Sequence, residues 1–289
     1  MHKRIFVLAA VLHVSIFTLL AQAPIVTGAN IKKDSLRKYN PVTGILGAFP
    51  PEVNLLYDQL LEKKEHIIQH IRFTEGILNG RKVILAQTGI GKVNAAITTT
   101  LLLEHFKPGE VIFTGIAGAV DPTLSPGDIV IGINVAHHDY GTLTPDSMLR
   151  RPTRNPFTMQ ENPVFFPCDS QLINTASIAS KNLQLQQIGG TDGKHSPHIV
   201  KGNIVTGDVF VASSIATTAL YKKMQAAATE MEGAAVGQVC WQEQVPFLVI
   251  RSMSDRAGNN ASAEVKNFYE VAAYNSAQLV MAIMKLLNN

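Results

Sequence analysis

Short apolar runs alternate along this chain with longer runs whose apolar residues recur at helical spacing. Residues 42–47, 82–87, 111–114, 128–133, 199–206 and 247–251 read as strands. Residues 52–61, 94–106, 215–225, 231–242 and 264–287 read as helices. The punctuation between them agrees. Pro50-Pro51 suits the first turn of a helix, and Pro108-Gly109 stops the second one. Glycines mark turns after three strands, at 88–91, 115–118 and Gly207-Asp208. Apolar strands separated by helices predict a single α/β domain around a parallel or mixed sheet buried on both faces.

Such sheets bind ligands at the carboxyl ends of their strands. In this chain those ends carry small residues and ionisable groups together: Gly47, Ala48 and Glu52; 88–91; 115–118; Asp208 and Phe210; Ser254 and Asp255. The pattern fits one site assembled from several loops. The segment 138–169 breaks the rhythm. It is rich in Pro, Arg, Thr and Asn, with aromatic residues at Tyr140, Phe157, Phe165 and Phe166. A long ordered loop inside a domain usually serves function.

Composition refines this picture in three ways. The 289 residues are 46% hydrophobic and 16% charged, enough apolar material for a substantial core. Residues 1–29 hold Lys3 and Arg4, no acid, and an apolar run from residue 5 to 21, followed by small residues at Ala21, Ala23, Gly28 and Ala29. That is the layout of a signal peptide, with residues 30–289 as the expected domain. Pro24 makes cleavage after Ala23 awkward, so a cut after Ala29 or Ala21 fits as well. The rival reading is an uncleaved anchor. The run is short for a membrane span and contains His13, Ser15 and Thr18. Beyond it, 23 basic side chains face 22 acidic ones, so nothing predicts a nucleic-acid surface. Cys168 and Cys240 are too few for a disulfide scaffold. His137-His138 and His195/His198 lack a third ligand in the sequence pattern, so neither a metal nor another cofactor is expected.

The chemistry concentrates in a few stretches. Glu230-Met231-Glu232-Gly233 stands at an expected helix start. A carboxylate there can accept hydrogen bonds from two vicinal hydroxyls, as on a ribose. Alone, the stretch is better explained by the preference for acids in a first helical turn. Residues 249–255 then bring Arg251, Ser254 and Asp255 to the end of an apolar strand, and Glu52 follows the first strand. Asp255 and Arg251 are also readable as a structural ion pair, Phe210 as core, and Glu230 as only a first-turn acid.

Taken together, GILGAFPPEV, TGIGKVNAA, TGIAGAV, SPGDIV, TGDVF, EMEGAAVGQVC and VPFLVIRSMSD resemble the nucleoside phosphorylase superfamily, from residue 42 to the C-terminus. Within it the chain is most similar to the 5′-methylthioadenosine/S-adenosylhomocysteine nucleosidases. The resemblance implies a three-layer α/β sandwich with a central mixed, twisted sheet flanked by helices. It also implies a homodimer that hydrolyses the N-glycosidic bond of adenine nucleosides. It assigns Glu52 to activating the attacking water, with Arg251 favouring its ionised form. Glu232 is assigned to the ribose hydroxyls, with Met231 beneath the sugar. Asp255, oriented by Ser254, is assigned to protonating the leaving purine at N7. Phe210 would stack on the base and the Val211 backbone would read its edge. Phe49 and Ile90 would line the pocket for the 5′ substituent.

Phosphorolytic members of the superfamily resemble one another in an Arg and a Ser that bind phosphate. Those positions hold Phe113 and Ile116 here. Neither side chain can bind phosphate, and Glu52 would repel it. Water is therefore the expected nucleophile. Many hydrolases of this kind have Ser where Ile116 stands, so one hydrogen bond to that water is lost. An exported storage or binding protein of the same fold, and a nucleoside phosphorylase, are the alternatives. Retention of Glu52, Glu232 and Asp255 speaks against the first.

Overall fold

A computed structural model describes residues 40–145, 147–190 and 193–288. The export segment expected at residues 1–29, and residues 30–39 of the expected domain, lie outside the described residues. The elements run in the order β1 (Val42–Gly47), α1 (Pro50–Gln59), β2 (Leu61–Ile68), β3 (Ile71–Leu78), β4 (Arg81–Gln87), α2 (Lys92–Phe106), β5 (Glu110–Ala119) and β6 (Ile129–His137). Short strands follow: β7 (Gly141–Leu143), β8 (Met148–Arg150) and β9 (Phe166–Pro167). Then come α3 (Ser170–Ser180), the ribbon β10 (Ile188–Gly190) and β11 (Gly193–His195), and β12 (Ile199–Thr206). The chain ends with α4 (Ser214–Met224), β13 (Ala226–Glu230), α5 (Gly233–Gln242), β14 (Phe247–Asp255) and α6 (Ala261–Leu287).

The main sheet has the order β13-β12-β6-β14-β5-β1-β4-β3-β2. It is mixed, as expected. β5 runs parallel to β1 and β14, whereas β6 is antiparallel to β14. β13 also pairs antiparallel with β5, so β5, β14, β6, β12 and β13 close into a ring. Helices flank the sheet. α6 packs along β14 and β5 with α1 and α3 against it, and α2 packs on α5. The closest approach is made by small residues. Ala272, Ala273, Ser276 and Ala277 are buried on α6, and the Ser276 hydroxyl lies 2.6 Å from that of Thr114 on β5. Leu279, Val280, Ile283 and Met284 continue that face, each burial contributing roughly 1.5–3 kcal/mol.

The boundaries differ from the sequence reading where packing overrides local signals. Residues 115–118 do not form a turn. They continue β5, paired with β14, and Gly115 and Gly118 leave room for neighbours lying across the strand. Residues 226–230 form a strand, and α5 begins only at Gly233. Leu61 belongs to β2 rather than to the first helix. β2 has no continuous apolar run, and its first five residues are exposed. Its turn into β3 places Gln69 and His70 at positive φ without the usual Asn or Gly. The segment 138–169 contains the β7–β8 hairpin, an Arg154–Glu161 bridge, and β9, which pairs with β6. Cys168 and Cys240 are both buried and are not joined in a disulfide, and burial pushes the Cys168 thiol up to about 12. Among the described residues no helix is long and apolar enough to cross a membrane.

Candidate active site

Arg251 is fully buried on β14, and its guanidinium lies 4.2 Å over the ring of Phe113. Three carboxylates converge on it. Glu230 accepts a hydrogen bond from Nη2, Glu232 Oε2 lies 3.3 Å from the same nitrogen, and Glu52 Oε1 lies 3.6 Å from Nη1. Gly115 makes this possible. A Cβ there would overlap both Arg251 and Glu52.

Glu230 explains how α5 starts. Its Oε2 accepts the main-chain N–H groups of Glu232 (3.0 Å) and Gly233 (2.7 Å), and its Oε1 accepts the Thr206 hydroxyl. Thr206 Oγ1 in turn takes the N–H of Ala234 at 2.8 Å. The free donors of the helix N-terminus are thus satisfied from outside the helix. Glu232, at the N-cap position, makes no capping bond of its own. Its carboxylate turns instead to Arg251 and to the Gly91 N–H at 2.9 Å. Burial first, and the adjacent Glu230 charge second, raise the Glu232 carboxyl to about 8.

Glu52 sits in the first turn of α1, 2% exposed, where its carboxylate accepts the N–H groups of Ala48 and, at 2.8 Å, Ile116. Burial raises its pKa, outweighing Arg251 and these N–H groups. The expectation that Arg251 keeps Glu52 acidic is corrected to that extent: the cation is present at ion-pair distance, but it is shared among three acids.

Asp255 stands apart from this cluster. Among the described residues it forms no ion pair, so the alternative reading of an Asp255–Arg251 pair does not hold. A bulge brings it into place: Met253 pairs with Ala117 and Asp255 with Gly118, leaving Ser254 as the extra residue. Ser254 Oγ donates to Asp255 Oδ2 at 2.8 Å. Ala257, at φ 49°, turns its N–H back onto Oδ1 at 2.8 Å. Asp255 is 1% exposed, and burial raises its pKa despite both hydrogen bonds. Gly115 beneath Glu52 and Gly118 beside Asp255 are three residues apart on β5, roughly 10 Å.

The apolar candidates form a more open rim. Phe49 is the N-cap of α1, half-buried, with its ring 6.4 Å from that of Tyr269. Ile90 and Phe210 are more than half exposed, and Met231 and Val211 are intermediate. The loop 207–213, which carries Phe210 and Val211, is tied at both ends. Asp208 accepts the Lys92 N–H at 2.8 Å, and Ser213 donates to the Ala257 carbonyl at 3.2 Å. Lys92 Nζ also reaches Asp139 at 2.6 Å, and Asp139 accepts the Asp208 N–H at 2.9 Å. Burial works against the Asp139 charge, but Lys92 and that N–H hold its pKa below the ordinary value.

The structure therefore gathers Glu52, Glu232 and Arg251 directly, and holds Asp255 with Ser254 further along the same strand pair. The other candidates, Phe49, Ile90, Met231, Phe210 and Val211, are half-buried or exposed. Sequence reasoning set Glu230 aside as a first-turn acid. Glu230 instead ends β13 and is the principal partner of Arg251. Lys92, Asp139 and Asp208 went unremarked as a network, because they come from three distant segments.

Known proteins match this arrangement closely. The phosphorylase superfamily model covers residues 42–285. A 5′-methylthioadenosine/S-adenosylhomocysteine nucleosidase of Psychromonas ingrahamii is 40% identical over 246 residues, 85% of this chain and 99% of its own length. The Neisseria meningitidis nucleosidase of the same name, solved with methylthio-immucillin-A, superposes with a TM-score of 0.73 at 34% identity, covering 86% of this chain and all of the other. The Colwellia psychrerythraea nucleosidase, solved with adenine, gives 0.73 at 35% identity, covering 85% and 95%. The chain belongs to the phosphorylase superfamily and, within it, to the 5′-methylthioadenosine/S-adenosylhomocysteine nucleosidases.

Proposed function

We propose that this chain hydrolyses the N-glycosidic bond of adenine nucleosides, 5′-methylthioadenosine, S-adenosylhomocysteine or close relatives, to adenine and the free sugar. The observation that carries the reading is the set of buried carboxylates, Glu52 and Glu232 on one guanidinium and Asp255 held separately. In this scheme Glu52 takes a proton from water as the water oxygen bonds to C1′. The C1′–N9 bond breaks, its electron pair passes to the purine, and Asp255 gives its proton to N7. Burial raises the Asp255 pKa, a shift towards the protonated form that this step uses. Glu232 accepts the ribose 2′- and 3′-hydroxyls, with Met231 beneath the sugar. Phe210 stacks on the base, the Val211 main chain reads its edge, and Phe49 and Ile90 face the 5′ substituent. The relatives solved with adenine and with methylthio-immucillin-A support an adenine nucleoside as the ligand class.

Water is favoured over phosphate by what surrounds Arg251. Phe113 is buried beneath it, three carboxylates share its charge, and the Ile116 N–H is engaged by Glu52. A phosphate dianion brought here would face net negative charge. The test is free-base release from methylthioadenosine, S-adenosylhomocysteine, adenosine and inosine, with and without phosphate. Release independent of phosphate is expected. Phosphate-dependent release would identify a phosphorylase, and no release from any substrate would identify a storage or binding protein.

Two further features belong to the same reading. Export rests on the residue 1–29 pattern, and a mature N-terminus after residue 21, 23 or 29 is the expected result of N-terminal sequencing. A homodimer rests on the family resemblance, and a sedimentation mass near twice that of the mature chain is expected.

A further inference from the structure

A second cluster of ligand-type side chains lies where β6 and β12 begin, at the opposite end of these strands from His137 and Thr206. The two strands run parallel with Ile129 opposite Ile199, so the residues just before them, Asp128 and His198, stand side by side. Asp128 is 1% exposed. Its Oδ2 accepts the Ser125 N–H at 2.8 Å, and its Oδ1 accepts the His198 N–H at 2.7 Å. Two imidazoles face that same Oδ1: His195 Nε2 at 2.7 Å and His198 Nδ1 at 3.6 Å. One ligand atom from each of the three residues lies within 4.8 Å of the others.

A histidine–aspartate clip needs one imidazole. Here two rings, 5.6 Å apart, share one carboxylate oxygen. A single divalent cation would take one donor atom from each of the three residues. The spacing suits it, since ligands bound tetrahedrally at about 2.0 Å stand about 3.3 Å apart. The observed 2.7 Å and 3.6 Å bracket that value. The ligands are also held in place beforehand. Pro197 fixes its own φ and restricts Ser196, and Ser196 Oγ receives Gln187 Nε2 at 3.2 Å. The two main-chain N–H groups orient the carboxylate, as outer partners of a metal ligand do. The His198 side chain is 73% exposed, which leaves a coordination position open to solvent.

We propose that Asp128, His195 and His198 form a binding site for a divalent late first-row metal ion, zinc above the others. The bound ion clips the segment 195–198 to the start of β6. The site is separate from the nucleoside chemistry. Asp128 meets β14 through its main-chain carbonyl, which accepts the Met253 N–H at 2.7 Å, and its carboxylate contacts none of Glu52, Glu232 or Asp255.

The test uses untagged, chelator-treated full chain titrated with Co(II), followed by competition with Zn(II). One cobalt per chain is expected, with visible absorption of low-symmetry His/carboxylate coordination, displaced by one zinc. His198→Ala and His195→Gln are expected to weaken binding by roughly tenfold or more. Both should keep wild-type adenine release, which shows that they fold. Absence of saturable binding, or stoichiometric binding unchanged in both variants, would overturn the proposal.

Discussion

Gly118→Ala tests whether the position of Asp255, and not merely its presence, sets the rate. The backbone at Gly118 is not in the left-handed region, so alanine fits its torsions. The difficulty is space. An added Cβ would stand 2.8 Å from Asp255 Oδ1 and 2.9 Å from the Ala257 Cβ. Carbon atoms in ordinary contact are about 3.5–4.0 Å apart, so the shortfall at Ala257 is about 0.6 Å or more. Gly118 cannot retreat, because it pairs with Asp255 on one side and Thr229 on the other. The Asp255–Ala257 turn must move instead, and the 2.8 Å bond from the Ala257 N–H to Oδ1 moves with it. Displacements near 1 Å cost about 100-fold in well-oriented sites. A loss of roughly 10–100-fold in kcat is therefore expected, about 1.4–2.7 kcal/mol of barrier. KM should change little, since N7 protonation matters only in the transition state. Overpacking should also lower stability by about 1–3 kcal/mol. The assay is adenine release with circular dichroism on the same samples. Gly258→Ala serves as control, because a Cβ there meets nothing closer than 3.5 Å. A p-nitrophenyl riboside, whose leaving group needs no proton, should be cleaved by Gly118→Ala at close to the wild-type rate. Adenine release within about threefold of wild type from a folded Gly118→Ala would refute the reasoning.

Glu230→Gln keeps the shape of the Arg251 cluster but removes its main counter-charge. A loss of about 3–5 kcal/mol is expected in thermal or denaturant unfolding, and unchanged unfolding would contradict the role given to Glu230. With its carboxyl raised to about 8, Glu232 is largely protonated at neutral pH, yet the ionised form is the better acceptor for two hydroxyls. KM should therefore fall as pH rises towards about 8, with proton release on binding measurable by calorimetry in buffers of different ionisation enthalpy. The stability sign is opposite. The folded state keeps a proton that the unfolded chain gives up near 4.5, so this group's contribution to stability declines as pH rises from about 4.5 through about 8. Lys92→Met removes the cation that pairs with Asp139, the acceptor of the Asp208 N–H, and should raise KM by about fivefold while leaving kcat nearly intact, as steady-state kinetics would show.

How much was visible beforehand depended on whether the deciding information was local. The strands at 42–47 and 199–206 were legible to the residue, the first as a short wholly buried run and the second through its apolar pairs at 199–200 and 204–205. The family and its reaction were legible for a related reason. The candidate site residues sit in short stretches whose order and spacing are visible in one dimension, as in the run from Glu230 to Gly233 and from Arg251 to Asp255. The tertiary structure alone decided the rest. β2 carries no apolar face and exists only through its pairing with β3. Residues 115–118 resemble a turn in any local reading, yet they are strand because Glu52, Arg251 and Asp255 need the space above them. Glu230 and Glu232 are two residues apart and chemically identical in sequence. The end of β13 commits the first to Arg251 and the α5 N–H groups, and thereby frees the second for a ligand. Asp128 and the histidines after residue 190 meet only through the parallel register of β6 and β12. Apolar periodicity is a property of neighbours along the chain. Charge pairing, pKa and ligand geometry depend on distances between groups brought together by folding, and those exist only once the sheet has formed.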